Sequence, residues 1–358
     1  MEKINVIPLI PSLNPDEKMI KYIKELIEIG FKKIIIVNDG SSKKYDHYFN
    51  EIDKLDECVI LKHAVNQGKG RALKTGFNYY LNNFSDYDGV VTADSDGQHS
   101  AKDTMKVAKC LSKNKKSLIL GTRDFNEEQV PFKSKYGNKI TTLVFKLLYG
   151  KKINDTQTGL RGIPNNFIEN CITLTGERFE YEINMLISCV KNNIKIKEEI
   201  IETIYIEENK SSHFNPIKDS IRIYKILFTE FFKFTFSGIF SFIVDILIFS
   251  FLINFVFFKT SPELSIFLST LVARIISSMI NYLLNKNVVF GCDNNNKLLI
   301  LKYYSLCIIQ MCASSIFTTL LFKTNIFNEV ISKTIVDLIL FFISFNVQKK
   351  YIFKKVNK

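Results

Sequence analysis

Tryptophan is absent from this 358-residue sequence, histidine occurs only four times, and none of the seven cysteines forms a CxxC pair. The lack of paired His and Cys excludes the ligand spacing of zinc sites, and scattered cysteines in odd number favour reduced thiols that face the cytoplasm. An arginine-rich arm is also missing, which argues against nucleic-acid binding despite the net charge of +12. Much of the lysine lies beside apolar runs, so membrane phosphates are the expected partner of this charge.

Long apolar runs are missing from residues 1 to about 214 but dominate the remainder, which is rich in Phe, Ile and Leu. The first 17 residues also lack the basic start and long apolar stretch of a secretion signal. We therefore expect a cytoplasmic domain over 1–214 and a membrane domain over 231–358. Between them, a basic and apolar pattern over 215–230 predicts an amphipathic helix in the lipid headgroup layer.

Apolar segments alternate with helical patterns in the first domain. Asn14 and Pro15 predict the N-cap and the first residue of a helix that runs to residue 29. Predicted strands cover residues 4–10, 32–37, 59–61, 89–93 and 117–120. Strands that alternate with helices indicate an α/β fold with a mainly parallel sheet covered on both faces. Ligands of such sheets bind beyond the carboxyl ends of the strands, and polar clusters follow those ends here.

Two aspartates, Asp94 and Asp96, directly follow the predicted strand at 89–93. Carboxylates this close raise each other's pKa in a partly dry cleft unless a cation neutralises both. Oxygen ligands without paired His or Cys suit a hard ion such as Mg²⁺ or Mn²⁺ that also holds a diphosphate. The alternative is that the acids cap the helix that begins near residue 101, although Ser100 is placed to serve as that cap.

Further polar segments are weak signals when each is taken singly. The segment NQGKGRALKTG, residues 66–76, has three glycines that permit close backbone approach, but its spacing is not that of a Walker loop. Arg123, together with Asp155 and Arg161 in the segment DTQTGLRG, either holds phosphate oxygens or forms ordinary ion pairs. Glu182 marks either a site or the start of a helix.

In chain order, the motifs VNDGSS, NQGKGRALKTG, ADSDGQH, GTR, DTQTGLRG and FEYE resemble those of family 2 glycosyltransferases of the polyprenyl-phosphate branch, related to dolichol-phosphate mannose synthases. The resemblance covers residues 4–214, and the ordered set is more specific than any single motif. It implies a GT-A fold, which is Rossmann-like with a mainly parallel sheet. It also implies transfer of a hexose from a UDP- or GDP-sugar to polyprenyl phosphate, with inversion at the anomeric carbon.

The resemblance assigns roles to residues of this sequence. It implies that Asp94, Asp96 and Gln98 hold Mg²⁺ or Mn²⁺, and that Asp39 and Asp94 contact the nucleotide. The implied catalytic residues are Asp96, Arg123, Asp155 and Arg161, with both arginines at donor or acceptor phosphates. The implied substrate-binding residues are Pro11, Asn14, Asp39, Gly40, Asn66, Gly68, Lys69, Gly70, Asp94, Lys133, Lys135 and Glu182.

The sequence departs from the family pattern near its start. Residues 11–15, PSLNP, lack the aromatic residue and the acid that usually stand there, so Asp16 or Glu17 is the expected substitute in recognition of the base. The basic segment 126–139 contains Lys133 and Lys135, which are placed to meet the lipid phosphate of the acceptor. It predicts either a mobile loop that meets the acceptor phosphate or an ordinary solvated loop.

Four apolar stretches in the second domain predict membrane spans. They cover about 232–257, 264–284, 303–322 and 331–348, each near the roughly 20 residues that cross a bilayer. Lysines are concentrated in the segments that face the cytoplasm if both ends of the chain lie on that side, which predicts an N-in, C-in protein of the cell inner membrane. This domain resembles the four-span, all-α GtrA-like family, which is implicated in moving polyprenyl-linked sugars across membranes.

A weak internal repeat and three charges mark the spans. Segments 281–290 and 344–353 each end a span with a polar residue and a lysine and then reach a Phe, which predicts two helical hairpins in tandem. Asp245, Arg274 and Asp337 fall inside spans, where an unpaired charge is costly. We expect Asp245 to pair with Arg274, either as a structural ion pair or along a path for lipid headgroups.

The sequence as a whole predicts a metal-dependent membrane glycosyltransferase, with two alternatives. A lipid-linked sugar translocase would carry residues 1–214 as a degenerate nucleotide-sugar-binding module, against which the intact acidic pair, Gln98 and both arginines argue. A processive polysaccharide synthase carries a Gln-x-x-Arg-Trp motif, and both the absence of Trp and the lack of spans before the catalytic domain count against it. The sequence does not discriminate between donor sugars, and it permits a homo-oligomer.

Overall fold

A computed structural model describes residues 4–84, 86–125, 130, 132–202, 218–294 and 296–354. The chain forms two compact units, Met1–Leu227 and Phe228–Lys358. The division falls inside the predicted amphipathic segment, whose first three residues, 215–217, lie outside the described residues.

The described part of the first unit contains a sheet of seven strands. They are β1 (Val6–Ser12), β2 (Ile34–Asn38), β3 (Cys58–Lys62), β4 (Gly89–Thr92), β5 (Ser117–Arg123), β6 (Arg161–Pro164) and β7 (Lys195–Ile201). Their order across the sheet is β3-β2-β1-β4-β6-β5-β7. All neighbours are parallel except β6, which runs antiparallel to both β4 and β5. The predicted α/β class with a mainly parallel sheet is confirmed.

Helices cover both faces of this sheet. They are α1 (Glu17–Glu28), α2 (Asp46–Ile52), α3 (Lys69–Asn83), α4 (Ala101–Lys113), α5 (Phe132–Tyr149), α6 (Asn165–Thr173) and α7 (Glu180–Lys191). Every residue of β1, β2 and β4 is buried, although successive side chains of a strand point to opposite faces. This burial on both faces explains why these strands are continuous apolar runs in the sequence.

Two strands, β6 and β7, are not predicted by the sequence patterns. β6 has only four residues, RGIP, and lies in the middle of the sheet between β4 and β5. β7, with the sequence KIKEEII, is an edge strand whose side chains are mostly exposed. Neither a four-residue strand nor a charged edge strand produces an apolar run, so periodicity alone does not detect them.

The helix predicted from Asn14 and Pro15 begins two residues later than expected. Asp16 is the N-cap of α1, and its side chain accepts a hydrogen bond from the Lys18 N–H at 2.9 Å. The predicted N-cap at Asn14 is therefore wrong. Asn14 has a φ of +51° and instead bonds to the loop after β2, since its Oδ1 accepts from the Ser42 N–H at 3.1 Å.

The predicted cap at Ser100 is confirmed. Its Oγ accepts a hydrogen bond from the Asp103 N–H at 3.1 Å and donates to Asp103 Oδ2 at 2.7 Å. Because Ser100 satisfies the first turn of α4, Asp94 and Asp96 are not needed as caps. The two acids are left for a role in the cleft at the end of β4.

The second unit is helical. Its helices are α8 (Lys218–Phe251), which begins in the first unit, α9 (Pro262–Leu284), α10 (Leu298–Phe322) and α11 (Glu329–Val347). Four segments among the described residues are long and apolar enough to cross a membrane, namely Lys218–Val256, Pro262–Val289, Leu298–Phe322 and Val330–Ile352. They overlap the four predicted spans, and the first is longer than predicted because the amphipathic segment and the span form one helix.

Short π-helical turns end α9 and α11, at Asn285–Val289 and Gln348–Ile352. Each turn is followed by a buried aromatic residue, Phe290 or Phe353, and the centroids of these two rings lie 5.6 Å apart. The first residues of the two turns are joined by a side-chain amide hydrogen bond of 3.0 Å. The two halves of the predicted repeat therefore have the same local structure and contact each other at equivalent positions.

The three charged residues that the sequence analysis placed inside spans are paired in the structure. Arg274 Nη2 lies 3.6 Å from Asp245 Oδ2, and Ser277 Oγ donates to Asp245 Oδ1 at 2.7 Å, so the predicted pair is confirmed. Asp337 pairs with Lys333, one helical turn away, at 2.8 Å. Pairing of this kind lowers the cost of holding charge at membrane depth.

Candidate active site

A cavity of about 390 Å³ opens beside the carboxyl ends of β1, β2 and β4. These ends meet at one edge because the three strands are parallel neighbours. Eight of the residues assigned from the sequence line the cavity, namely Pro11, Asn14, Asp39, Asn66, Gly68, Lys69, Asp94 and Asp96. The structure therefore brings together segments that are far apart in the sequence, in the place expected for a ligand of this kind of sheet.

Asp39 organises the loop at residues 63–68. The carboxylate is buried; its Oδ1 accepts from His63 Nδ1 at 2.7 Å and from the Gln67 N–H at 2.9 Å, and its Oδ2 accepts from the Gly68 N–H at 2.8 Å. His63 is fixed in turn by Thr75 Oγ1, 2.9 Å from its Nε2. Asp39 thus holds one wall of the cavity, and its contact with a nucleotide stays a prediction.

Glycines in the motifs permit close approach between segments of the protein. Gly68 has a φ of +102°, and a Cβ there would lie 2.4 Å from the Glu177 carbonyl oxygen. Gly40 has a φ of +72°, and its Cβ would lie 2.4 Å from the Asn66 nitrogen. Gly70 packs against Tyr181 in the same way. The expected close approach is observed, and its partners are other loops and helices of this unit.

Lys69 connects two carboxylates. Its Nζ lies 2.6 Å from Asp94 Oδ1 and 2.8 Å from Glu182 Oε1. Burial raises the pKa of Asp94, but the charge of Lys69 and the hydrogen bond from His99 outweigh burial and hold the pKa well below its usual range. Burial lowers the pKa of Lys69, but Asp94 and Glu182 outweigh that effect and raise it. Both groups therefore remain charged at neutral pH.

Asp96 is less well compensated than Asp94, because burial and the charge of Asp94 raise its pKa by more than the charge of Lys69 lowers it. Its Oδ1 accepts from the Gln98 N–H at 3.1 Å. Burial, and after it the negative charge of Asp94, raise the pKa of Asp96 above its usual value. A group whose charged form is disfavoured in this way gains from a nearby cation.

A divalent cation fits the donors at this cavity. Within the described ranges, no group of three or more His, Cys, Asp or Glu side chains is placed to hold a metal. The described residues that line the cavity nevertheless include four acids, Asp16, Asp39, Asp94 and Asp96, against two cations, Lys69 and Arg178. Oxygen donors with an excess of negative charge suit a hard ion. Asp94 and Asp96 line the cavity and Gln98 is not among the described lining residues, so metal ligation by these three side chains stays a prediction.

Arg123 and Asp155 form a second group, at the end of β5. Arg123 donates from Nε to Asp155 Oδ2 at 2.7 Å and from Nη2 to Oδ1 at 3.2 Å, and Asp155 is fully buried. This two-point contact fixes the plane of the guanidinium. The side chain of Arg123 remains partly exposed, at 19%, so it is oriented by Asp155 without being enclosed.

Arg161 is enclosed in the interior, with 1% of its surface exposed. Its guanidinium donates to backbone carbonyls of Thr158 at 2.8 Å, Glu182 at 2.7 Å and Thr156 at 3.3 Å. These bonds tie the DTQTGLRG segment to α7 and give Arg161 a structural role here. The phosphate contact implied for it by the sequence stays a prediction.

The assigned acceptor lysines are described only in part. The side chain of Lys133 and residues 126–129 lie outside the described residues, whereas Lys135 is half-buried in the second turn of α5. Farther along α5, four large apolar side chains are exposed at helical spacing, namely Tyr136, Ile140, Leu143 and Leu147. This stripe is a feature that the sequence reasoning missed, although its 3–4 residue period was visible.

Other contributors to the site were also missed. Arg178 and Phe179, which directly precede α7, line the cavity, and so does Tyr45. Gly159 leaves room for the acidic cluster, because a Cβ there would lie 2.2 Å from Asp94 Oδ2. The signal for Phe179 and Gly159 was their position inside motifs already singled out, whereas Tyr45 had none.

Two family models match the chain. Glycosyl transferase family 2 matches residues 9–174, and the GtrA/DPMS transmembrane domain matches residues 233–353. Protein MJ1222 of Methanocaldococcus jannaschii is 30% identical over 236 residues, which are 65% of this chain and 95% of that protein. The chain belongs to glycosyltransferase family 2. Its mainly parallel sheet is the GT-A arrangement that the resemblance implied, and its apolar helices form a GtrA/DPMS-type membrane domain.

Other relatives of this glycosyltransferase have names that specify a lipid acceptor. A UDP-N-acetylglucosamine–dolichyl-phosphate N-acetylglucosaminyltransferase of Methanococcus voltae is 29% identical over 237 residues, which are 61% of this chain and 93% of the relative. The dolichyl-phosphate beta-glucosyltransferase ALG5D of Trichomonas vaginalis is 23% identical over 240 residues, which are 61% of this chain and 71% of the relative. The catalytic and membrane domains together support a membrane glycosyltransferase.

Proposed function

We propose that this glycosyltransferase moves a hexose from a UDP- or GDP-sugar to polyprenyl phosphate with inversion at the anomeric carbon. The observation that carries the proposal is the acidic cluster of Asp94 and Asp96 in the cavity at the ends of β1, β2 and β4. The names of the M. voltae and T. vaginalis relatives support a lipid phosphate as acceptor. Because these names specify different sugars, the donor is proposed only as a hexose class.

The acceptor determines what the protein must supply. A lipid monophosphate is anionic near neutral pH, so its oxygen attacks the anomeric carbon without a strong general base. The new bond joins that oxygen to the anomeric carbon, opposite the bond to the leaving oxygen. The latter bond breaks, and its electron pair departs with the nucleoside diphosphate. Alignment of the reactants and stabilisation of this leaving group are the remaining tasks.

The residues of the cleft suit these tasks. Mg²⁺ or Mn²⁺ held by Asp94, Asp96 and Gln98 would supply positive charge to the departing diphosphate. Asp39 keeps the loop at 63–68 in place as a wall of the nucleotide site. Arg123, oriented by Asp155, is the proposed phosphate contact at the end of β5.

The exposed stripe of α5 supports access to a membrane acceptor. Four apolar side chains on one helical face are accompanied by exposed Lys139 and Lys146. An apolar stripe of this kind beside lysines is typical of a helix that lies in the headgroup layer. We further propose that the catalytic unit faces the cytoplasm at the inner membrane, with both chain ends inside, on the basis of the lysine distribution.

The test is an extraction assay. Membranes that contain the full chain are incubated with a labelled UDP- or GDP-sugar, polyprenyl phosphate and Mg²⁺ or Mn²⁺, and label is counted in organic solvent. We expect label in the organic phase only when both the lipid phosphate and the metal are added. The anomeric configuration of the sugar in the product should be inverted relative to the donor. A translocase would leave the organic phase unlabelled, and absence of transfer from every common donor would contradict the proposed enzyme activity.

A further inference from the structure

Among the described residues, Lys69 is the cation that lies closest to Asp94. It begins α3 and lines the cavity, and its side chain is 15% exposed. Its Nζ is 2.6 Å from Asp94 Oδ1 and 2.8 Å from Glu182 Oε1. The ammonium therefore neutralises the same carboxylate that is assigned as a ligand of the divalent cation.

We propose that Lys69 is an exchangeable counter-ion of Asp94. It neutralises Asp94 while the cleft is without a divalent cation, and it gives up Asp94 but keeps Glu182 when a cation and a nucleoside diphosphate bind. The inference rests on the proposed function, because it assigns a regulatory residue to that same site. The competing explanation is a fixed structural triad of Lys69, Asp94 and Glu182.

Electrostatics favour exchange over a fixed triad. An ammonium and a divalent cation repel each other, so they compete for one carboxylate in a cleft of reduced dielectric. Glu182 is the reason that the ammonium can leave Asp94 without being stranded, since an unpaired buried charge is costly. Lysine suits this role because its charge is compact and its four-carbon stem is flexible, whereas Arg holds a fixed planar geometry.

The residues around Lys69 bring its ammonium close to Asp94 and also offer the ammonium a second position. A Cβ on Gly159 would lie 3.0 Å from Lys69 Nζ, so Gly at this position admits the bridge to Asp94. The Phe179 ring lies 5.8 Å from Nζ at its centroid and also lines the cavity. An ammonium that leaves Asp94 thus keeps a carboxylate and an aromatic face within reach.

The test measures Mn²⁺ binding to the purified full chain in detergent, without sugar donor or acceptor, from the electron paramagnetic resonance signal of free Mn²⁺. Lys69→Met should bind Mn²⁺ roughly three- to tenfold more tightly, because its competitor is removed. A fixed triad that positions Asp94 for the cation predicts the opposite result, because its loss would weaken Mn²⁺ binding or leave it unchanged.

Lys74→Met is the matched control. Lys74 is also a buried lysine of α3, and its Nζ lies 2.9 Å from Glu177. We expect its Mn²⁺ affinity to equal that of the unchanged protein. An unchanged or weaker Mn²⁺ affinity in Lys69→Met, an equal gain in Lys74→Met, or no Mn²⁺ binding by the unchanged protein would overturn the inference.

Glu182→Gln provides a second variant if Lys69→Met does not fold. Without the Glu182 carboxylate, Lys69 is held by Asp94, so Mn²⁺ affinity should fall by roughly threefold. This loss should disappear in the Lys69→Met/Glu182→Gln double variant, and a loss that persists there would refute exchange. The extraction assay tests the proposed activity separately. If sugar is transferred but Lys69→Met does not change Mn²⁺ affinity, only this inference is contradicted. If the variants change Mn²⁺ affinity as expected but no sugar is transferred, only the proposed activity is contradicted.

Discussion

The acids at the cleft of the first unit differ in their ion pairing from three acids in the helices of the second unit. In the first unit, Asp94 and Glu182 share Lys69, and Asp96 has a pKa raised by burial and by the charge of Asp94. In the second unit, three acids each lie within 4 Å of a cation in ion pairs of one to one, namely Glu230 with Lys349, Asp245 with Arg274 and Asp337 with Lys333. The cleft therefore concentrates negative charge, whereas each of these three acids in the membrane helices is paired with one cation.

This difference separates charge that serves a ligand from charge that serves the fold. An excess of negative charge is unfavourable in a protein alone and becomes favourable when a cation binds, so it is expected at a functional site. In hydrocarbon no such excess is tolerable, because an unpaired charge costs several kcal/mol. We therefore interpret the balanced pairs of the second unit as structural, and the acids of the cleft as the groups proposed to bind a ligand.

Asp96→Asn removes negative charge from the cleft and should have the largest effect on activity. We expect sugar transfer to fall by at least about a thousandfold, since the variant removes a proposed ligand of the cation that would stabilise the departing diphosphate. The midpoint temperature of thermal unfolding should be unchanged or slightly raised, because Asn keeps an oxygen for the Gln98 N–H and removes a repulsive charge. Activity is measured by the extraction assay and stability by circular dichroism.

Asp46→Asn is the control for this variant. Asp46 forms an exposed ion pair with Lys62 at 3.2 Å and should be silent in both measurements. Full turnover of Asp96→Asn at limiting metal would show that the cleft does not use its excess charge for a cation. The contrast between the two units would then lose its functional meaning.

The sequence predicted the parts of the fold that depend on burial and strand ends. β1, β2 and β4 were visible because burial on both faces leaves continuous apolar runs, and Asp94 and Asp96 were visible because they end such a run. The bridge from Lys69 to Glu182 was not visible, because the two residues are 113 positions apart in the sequence and meet only where α3 packs on α7. No local pattern encodes such a contact.

Arg161 shows a similar limit. In the sequence it resembles an exposed phosphate ligand, because it lies in a polar motif with an acid six residues before it. In the structure the antiparallel strand β6 begins at this residue and carries it into the interior, where carbonyls surround it. The direction of β6 is set by the whole sheet, so the location of Arg161 followed only from tertiary structure.

Arg161→Met tests whether a buried charge of the first unit that is held by backbone carbonyls is structural, as we infer for the ion pairs of the membrane unit. We expect a loss of about 3 kcal/mol in the free energy of unfolding, because three backbone carbonyls lose a charged donor. Chemical denaturation of the full chain in detergent measures this loss. Arg71→Met, which removes an exposed pair with Glu177, should cost less than about 1 kcal/mol, and equal losses in the two variants would contradict the structural role.

The pair of Asp245 and Arg274 tests the balance of charge in the membrane unit, with the smallest expected effect. Asp245→Asn and Arg274→Gln should each destabilise the helices, because each leaves the other charge unpaired, and the double variant should recover part of the loss. We expect a coupling energy of about 1 kcal/mol from a double-mutant cycle of unfolding in mixed micelles.

The pair of Lys333 and Asp337 is the matched comparison, and its side chains are 60% and 47% exposed. This pair should couple more weakly than Asp245 with Arg274, because Asp245 is only 17% exposed. Additive losses at Asp245 and Arg274 would mean that these charges are held independently, and a structural ion pair would no longer explain why both lie inside the spans.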